Sequence, residues 1–175
     1  MKKLLLYMGL VLILVGCTNV ENEEEQTQPV LSLEEQIEEV MNQHDYPPQT
    51  IVNYEIKNDF IYVFTDTNSS LNVAVLEYLT DSIEWIMDYK SIEKMSILDP
   101  EYENMPVLTV VKTEDANIAS VKVLGEPAKG IQYSKEVTDD YAIYTKYWIH
   151  FTEMKEEYAD FENQNLPVNS IEFIE

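Results

Sequence analysis

The feature that most constrains this chain is a change in apolar spacing after residue 50, where apolar residues begin to recur at alternate positions. Alternation over about four to eight residues is typical of a β-strand with one buried face. In the run 59–65 both alternate sets are apolar, which predicts a strand well inside a sheet. Polar turn residues separate the strand candidates of this half. We expect these candidates to form an antiparallel meander, and they span 51–57, 59–65, 71–79 and 83–89.

The second half of the chain carries further strand candidates, of which 141–151 is the longest and 171–174 is an edge-strand candidate. The others are short runs rich in β-branched residues: 107–112, 117–124 and 129–133. Between the halves, apolar residues in 91–105 recur three positions apart, so we predict a crossover with one or two helical turns. A short helix is also predicted at 154–161 from its apolar spacing.

Ahead of the strands, the residues from Leu33 to His44 have helical periodicity, with apolar side chains on one face and glutamates on the other. Ser32 followed three positions later by Glu35 is a capping-box signature for the helix start. Proline cannot continue a helix, so Pro47 limits its length. The predicted fold class is therefore α+β, with this N-terminal amphipathic helix packed on an antiparallel β-meander of about seven strands.

The first 17 residues have the layout of a targeting segment. Lys2 and Lys3 form a basic start, and Leu4–Val15 is an almost unbroken apolar run. A run of this length falls within the roughly 7–15 residues of a signal-peptide core, and it is shorter than the roughly 20 residues of a membrane-spanning helix. A small residue, Gly16, then precedes Cys17, the single cysteine of the chain.

The motif Leu14-Val15-Gly16-Cys17 resembles the lipobox of bacterial lipoproteins. The resemblance implies that the signal peptide is cut before Cys17 and that Cys17 is the lipidation site, its thiol carrying a diacylglycerol. It also implies a chain held at the cell membrane on the extracytoplasmic side, with the lipid bilayer as a partner. A plain secretory signal or a single membrane helix is the alternative for the same apolar run. The overall layout resembles small uncharacterised surface lipoproteins of Gram-positive bacteria, a group that supplies no catalytic residues to carry over.

The lipidation that the resemblance implies has physical consequences. Two acyl chains hold a protein on a bilayer where one does not, because each buried methylene contributes only about 0.8 kcal/mol. With Cys17 acylated, the mature chain has no thiol for a disulfide or for nucleophilic catalysis. The predicted domains are a signal peptide at 1–16, a disordered acidic tether at 17–30 and a single α+β domain at 31–175. The tether prediction rests on low hydrophobicity and a run of glutamates.

The charge balance excludes some partners. The chain has 33 acidic residues against 11 basic ones, all of them lysines, and a formal net charge of −22. Such a surface repels nucleic acid and anionic lipid head groups, so no nucleic-acid partner is expected. An acidic face can attract divalent cations or basic partners, but solubility beside a polyanionic envelope is the simpler explanation.

Alternate polar residues around the first predicted hairpin mimic a calcium-binding loop. Asp66 would be its first ligand and Glu77 its twelfth, with Asn68, Ser70 and Asn72 between them. An EF-hand loop needs glycine at its sixth position, where this chain has leucine, and it needs flanking helices where strands are predicted. No metal site is therefore assigned.

The chain carries no recognisable catalytic motif. We interpret His44 as a helix-end residue and His150 as a partly exposed strand residue rather than as ligands. His150 shares a predicted strand face with Tyr144, Lys146 and Trp148. No Gly-x-Ser-x-Gly turn and no glycine-rich phosphate loop occurs among the four glycines, and a pair of carboxylates would arise by chance among 33 acids. No catalytic residue and no cofactor is predicted.

These observations favour a membrane-anchored extracytoplasmic lipoprotein that acts as a non-enzymatic binding or accessory module, with an envelope protein as a candidate partner. Its 12 Tyr, 5 Phe and 2 Trp could line a groove for a glycan or a peptide, although cross-strand packing explains most of their positions. The alternatives are an envelope hydrolase that uses acidic residues and a transporter-associated solute-binding lipoprotein. A deep pocket with clustered, desolvated carboxylates would favour the hydrolase, and a shallow pocket would favour the module.

Overall fold

The computed structural model describes residues 31–175 apart from 68–69, 93, 116, 139–140 and 154–169, and at 133, 135–137 and 141–143 it describes the backbone alone. The predicted signal peptide, the tether and the helix at 154–161 lie outside the described residues. In chain order the described elements are helix α1 (Leu33–Gln43), a 3-10 turn (Pro48–Thr50), and strands β1 (Ile51–Lys57), β2 (Phe60–Thr67), β3 (Ser70–Tyr78), β4 (Ile83–Ile92), β5 (Met95–Leu98), β6 (Val107–Thr113), β7 (Ser120–Val123), β8 (Glu126–Pro127), β9 (Lys129–Thr138), β10 (Tyr141–Thr152) and β11 (Ile171–Ile174).

Helix α1 starts at the capping box that its sequence predicts. The Glu35 N–H donates to Ser32 Oγ at 3.3 Å, and the Ser32 N–H donates to Glu35 Oε2 at 2.7 Å. The hydrogen bond from the Ser32 backbone N–H, and then the hydrogen bonding of the Ser32 side chain to the carboxyl, lower the pKa of Glu35. Ile37 and Met41, one turn apart, are the buried residues of the helix, so its apolar stripe faces the protein.

The strands form three antiparallel sheets. Sheet 1 has the order β1-β2-β3-β4, sheet 2 the order β5-β6-β10-β9, and sheet 3 the order β11-β7-β8. A two-residue turn joins β1 to β2, with Asn58 in the left-handed region at φ 54°, which asparagine tolerates better than most residues. Leu124 and Gly125, at φ 53° and 81°, join β7 to β8, and two positive φ values are typical of a type I′ hairpin.

Sheets 1 and 2 pack face to face around the central core. This core is formed by the alternate side chains of the inner strands, with Tyr62 on β2 and Tyr147 on β10 among its largest fully buried members. The Tyr62 hydroxyl donates to the carbonyl of Pro106 at 3.2 Å, so its buried polar atom is paired. Tyr62 also meets Phe151 edge to face, with ring centroids 4.7 Å apart.

Two further layers lie on the outer faces. On sheet 1, a second apolar cluster joins Ile37 and Met41 of α1 to buried side chains of the strands: Ile61, Val63, Ala74 and Leu76. On sheet 2, a third cluster joins Val111 and Trp148 to Val121 and Val123 of sheet 3. Each inner sheet therefore has one face in the central core and an outer face that is covered by a different element.

The predicted α+β fold is wrong. The described chain is mostly β, with one described α-helix beside eleven strands in three antiparallel sheets, rather than one helix on a meander of about seven strands. The meander is limited to β1–β4. Alternation within a strand does not specify its partner, and β6 pairs with β10 across three intervening strands. Segment 91–105 was the other error, because it contains β5 where helical turns were predicted.

Candidate functional site

The outer face of sheet 2 is the starting point for a candidate site, because sheet 3 covers only part of it. Val111 on β6 and Trp148 on β10 are cross-strand partners, and both are buried against sheet 3. Thr113 and Lys146, each two positions along its strand from Val111 and Trp148, are also cross-strand partners. They point to the same side of the sheet, since side chains alternate along a strand. There the apolar cover ends and the face is lined by polar side chains.

A groove of about 400 Å³ occupies this uncovered part of the face. The residues that line it are all polar: Lys112, Thr113, Glu114, Asp115, Gln132, Tyr144, Thr145 and Lys146. They come from β6 and the residues after it, from β9, and from β10. Thr113, Gln132, Tyr144 and Lys146 share the alternation of Trp148, whereas Lys112 and Thr145 have the opposite alternation. A volume in the range of about 300–1,000 Å³ is typical of small-molecule sites. The groove is therefore large enough for a ligand, and it is open and polar rather than deep and apolar.

One wall of the groove is held in place by contacts beneath it. The Trp148 indole Nε1–H donates to Thr113 Oγ1 at 3.1 Å. Lys146 Nζ lies 4.1 Å from the Trp148 ring centroid, a cation–π contact, and donates to the carbonyl of Ile118 at 3.4 Å. The groove side chains Thr113 and Lys146 thus rest on a buried tryptophan, and any molecule that displaces them changes the surroundings of its ring.

The other polar groups of the groove are not committed to the protein. Within the described part of the chain, the side chains of Glu114, Gln132 and Tyr144 take part in no hydrogen bond, ion pair or ring contact. Tyr144 is the most exposed large hydrophobic residue described, with 73% of its surface accessible. Donors, acceptors and an aromatic ring therefore meet here with no internal role.

A second concavity of about 630 Å³ adjoins the groove and shares Lys112 and Glu114 with it. Its other lining residues include Ser91, Lys94 and Met95, at the passage from β4 to β5. Ser91 is in the left-handed region at φ 57°, and its N–H donates to Asn72 Oδ1 at 2.9 Å. Lys112 and Tyr147 are cross-strand partners on the face of sheet 2 that looks towards the central core, so the second concavity lies on the opposite face from Thr113 and Lys146.

The calcium-loop pattern in the sequence does not form a loop in the structure. Asp66 pairs with Leu71 and Glu77 pairs with Phe60 in the β2–β3 hairpin. Leu71 and Glu77 are six residues apart on one strand, which corresponds to roughly 20 Å. The Asn72 amide donates to Thr67 Oγ1 and so serves the hairpin itself. Among the described members of this pattern, Asp66 and Glu77 therefore do not converge on one ion.

The two histidines lie on different sheets. His44 follows α1 and stacks on Trp85 of sheet 1, with ring centroids 4.1 Å apart. His150 on β10 is half-buried, in a cleft of about 220 Å³ that also holds Lys57 and the Lys129–Glu55 ion pair. Burial lowers the pKa of His150, an effect that a hydrogen bond to the Pro127 backbone and the charge of Glu126 oppose and that the charge of Lys57 reinforces.

Acidic residues gather at one more concavity, of about 710 Å³, beside the β1–β2 turn. Its carboxylates are all exposed: Asp59, Glu101, Glu103 and Glu153. Among the residues that the structure describes, no group of three or more His, Cys, Asp or Glu side chains is placed to hold a metal ion. Nor is any described Asp or Glu buried, the buried polar residues being Thr65, Asn72 and Thr109.

Cys17, the predicted lipidation site, lies outside the described residues, and its acylation stays a prediction. Of the groove residues, the sequence singled out only Tyr144 and Lys146, through the strand face that they share with Trp148 and His150. The change from apolar to polar residues along that face, and along β6 from Val111 to Thr113, was the available signal for the groove. Within the described residues no helix is long and apolar enough to cross a membrane. Comparisons with models of protein families, with curated proteins and with solved structures give no significant match.

Proposed function

We propose that this protein is a membrane-anchored extracytoplasmic lipoprotein that acts as a non-enzymatic binding module, with the groove on sheet 2 as its binding surface. The observation that carries the proposal is the set of groove side chains without an internal role, which includes Gln132 and Tyr144. Polar side chains on a rigid sheet cost little to order on binding, because the strands already fix their backbones. A ligand would take the place of water on these groups.

The lack of buried Asp and Glu side chains among the described residues favours a binding module over an acid-dependent hydrolase. Paired catalytic carboxylates usually need environments that push their pKa values apart, and burial is the common means. The described Asp and Glu side chains are all exposed or half-buried, including Glu114 and Asp115 in the groove. The groove also has no histidine that could act as a general base.

The anchor is supported by the lipobox resemblance of Leu14-Val15-Gly16-Cys17. A diacylated Cys17 would hold the domain within a tether's length of the bilayer, so its ligand would be a component of the envelope. We expect Cys17→Ala to leave an uncleaved or mislocalised precursor in cell fractions. Normal cleavage and membrane retention of that variant would overturn the lipoprotein assignment.

The binding proposal is tested by photocrosslinking in intact membranes. A benzophenone amino acid replaces Tyr144 at the groove or, as the matched control, Tyr78, a tyrosine 47% exposed at the end of β3 in sheet 1. Benzophenone inserts into C–H bonds, so it captures glycans and proteins alike. We expect irradiation to give a discrete adduct from position 144 and none from position 78.

Equal adducts from both positions, or none from position 144 in a folded and membrane-bound chain, would overturn the groove as a binding surface. Capture of a permease subunit at position 144 would replace the module by the transporter-associated function. Isolation of a covalently altered envelope polymer after incubation with the purified chain would replace it by the hydrolase.

A further inference from the structure

We infer that the ligand of the groove is a neutral oligosaccharide, an inference that rests on the proposed binding function and names its ligand class. Three observations point the same way: the mixture of donors and acceptors, the lack of a cluster of cations in the groove, and the exposed aromatic ring.

The hydrogen-bonding groups of the groove suit a ligand rich in hydroxyl groups. The Glu114 carboxylate only accepts, and the Gln132 amide donates and accepts. The hydroxyl of Tyr144 also donates and accepts. A sugar hydroxyl can meet either kind of group, so one saccharide satisfies the whole set without leaving a polar atom unpaired.

The charges of the groove disfavour an anionic ligand. Lys146 lies on the outer face of sheet 2, and Glu114 and Asp115 are the acidic residues beside it. Lys146 is already engaged by the Trp148 ring and the Ile118 carbonyl, and Asp115 Oδ1 accepts from the Asn117 N–H at 2.8 Å. The net charge of −22 repels a polyanion on approach, and the groove offers it no compensating cluster of cations.

The aromatic ring and the space beside it fit a chain of sugar rings. Tyr144, 73% exposed, presents an aromatic ring and a hydroxyl at the groove, and the C–H face of a pyranose packs on such a ring while its hydroxyls reach the polar rim. The groove volume of about 400 Å³ lies in the range of small-molecule sites, so the groove has room for more than one sugar ring.

Trp148 serves as a built-in reporter of binding, because Thr113 and Lys146 contact its indole and line the groove. The chain has two tryptophans, so a Trp85→Phe background makes Trp148 the sole one. The full-length chain, in a polyoxyethylene detergent that carries no sugar, is titrated with neutral tetrasaccharides: cellotetraose, mannotetraose, maltotetraose and tetra-N-acetylchitotetraose. Tetragalacturonate is the anionic comparison, and calorimetry on the chain with both tryptophans repeats each titration.

We expect at least one neutral tetrasaccharide to give a saturable signal below about 10 mM, a range that saturates a 1 mM dissociation constant. Tyr144→Ala should weaken that binding about tenfold, and Gln132→Ala roughly threefold to tenfold. Tyr78→Ala, the exposed tyrosine on sheet 1, should leave it unchanged. Because Gln132 and Tyr144 are exposed, both variants should fold, which their circular dichroism checks.

No saturable response to any neutral tetrasaccharide by either method would overturn the inference, as would tighter binding of tetragalacturonate than of all of them. A crosslinked adduct at position 144 without a sugar response would overturn the ligand class and leave the binding module standing. Failure of both the crosslink and the titrations would overturn the binding module as well.

Discussion

The outer faces of sheets 1 and 2 occupy equivalent places in the fold and have opposite chemistry. On sheet 1, α1 rests on a continuous aliphatic surface in which Ile61, Val63 and Leu76 are completely buried. On sheet 2, the apolar surface stops at Val111 and Trp148, and polar side chains follow. The first face is closed by the chain itself, and the second is closed only in part.

The difference teaches where stability and binding reside in this molecule. An aliphatic face left open to water would cost about 25 cal/mol for each Å² of apolar surface, so sheet 1 needs its helix. The polar end of sheet 2 is well solvated when open, so it can stay uncovered at little cost. Substitutions on the open face can therefore change its contacts with a ligand without weakening the core.

The largest difference in stability between the two faces is expected when one side chain is removed from each. Met41→Ala deletes a fully buried side chain between α1 and sheet 1, and we expect the free energy of unfolding to fall by about 2–5 kcal/mol. Tyr144→Ala on the open face should change it by less than about 0.5 kcal/mol. Urea unfolding of the full-length chain, followed by circular dichroism, measures both. Equal losses would show that the open face is structural.

A smaller effect is expected from a tyrosine hydroxyl on the covered side. The Tyr46 hydroxyl donates to Asp88 Oδ2 at 2.7 Å, in a half-buried hydrogen bond to a charged acceptor. Tyr46→Phe should lower the free energy of unfolding by about 1.5 kcal/mol, the lower end of the range for such bonds. Tyr144→Phe is the matched control, because the Tyr144 hydroxyl has no described partner, and it should have no measurable effect. A comparable loss in the control would contradict the contrast between the faces.

The same hydroxyl makes stability depend on alkaline pH. Burial, and then the hydrogen bond and charge of Asp88, raise the pKa of Tyr46 above the unfolded value of about 10. Its contribution is fully present below pH 10 and declines above it, because the unfolded chain loses the proton while the folded chain keeps it. Tyr62 acts in the same direction, and burial raises the pKa of Tyr89 to about 12. Tyr46→Phe should flatten this decline without abolishing it, and an unchanged slope would contradict the assignment.

Local structure was largely predictable because its signals are local. Ser32 and Glu35 form the predicted capping box, and the alternation in 141–151 corresponds to β10 at Tyr141–Thr152. Segment 95–98 was missed, because residues three apart can fit a helix as well as a short edge strand.

The groove was only partly predictable, because it depends on which strands become neighbours. Thr113 on β6 and Gln132 on β9 are brought together by β10, where Lys146 pairs with both. That pairing joins residues far apart in the chain, and no local pattern specifies it. The polar positions of β10 could be identified in the sequence, but the point at which sheet 3 stops covering sheet 2 could not.

The boundary between the covered and open parts of sheet 2 is tested at Thr113. Thr113→Val removes the acceptor of the Trp148 indole N–H, and Trp148 is only 6% exposed, so the donor is left without a partner. We expect a loss of about 1 kcal/mol in the free energy of unfolding, with a change in Trp148 fluorescence. Thr145→Val, at a half-buried hydroxyl without a described partner on the opposite face of β10, is the control and should be neutral. A loss from Thr145→Val as large as that from Thr113→Val would contradict the role assigned to the Trp148 hydrogen bond.

The smallest effect is expected where the two sheets meet at their edges. Lys129 at the start of β9 forms an ion pair with Glu55 on β1, and its side chain is 60% exposed. Exposed ion pairs contribute about 0–1 kcal/mol, so Lys129→Ala should lower the free energy of unfolding by less than about 1 kcal/mol. Lys90→Ala is the control, because its pair with Asp88, 3.3 Å long and 70% exposed on the lysine side, lies within β4 and bridges no sheets. Similar small losses from both variants would indicate that the central core, rather than the ion pair, holds sheets 1 and 2 together. A loss of several kcal/mol from Lys129→Ala alone would mean that the ion pair closes the edge, and that the contrast between the outer faces omits a main source of stability.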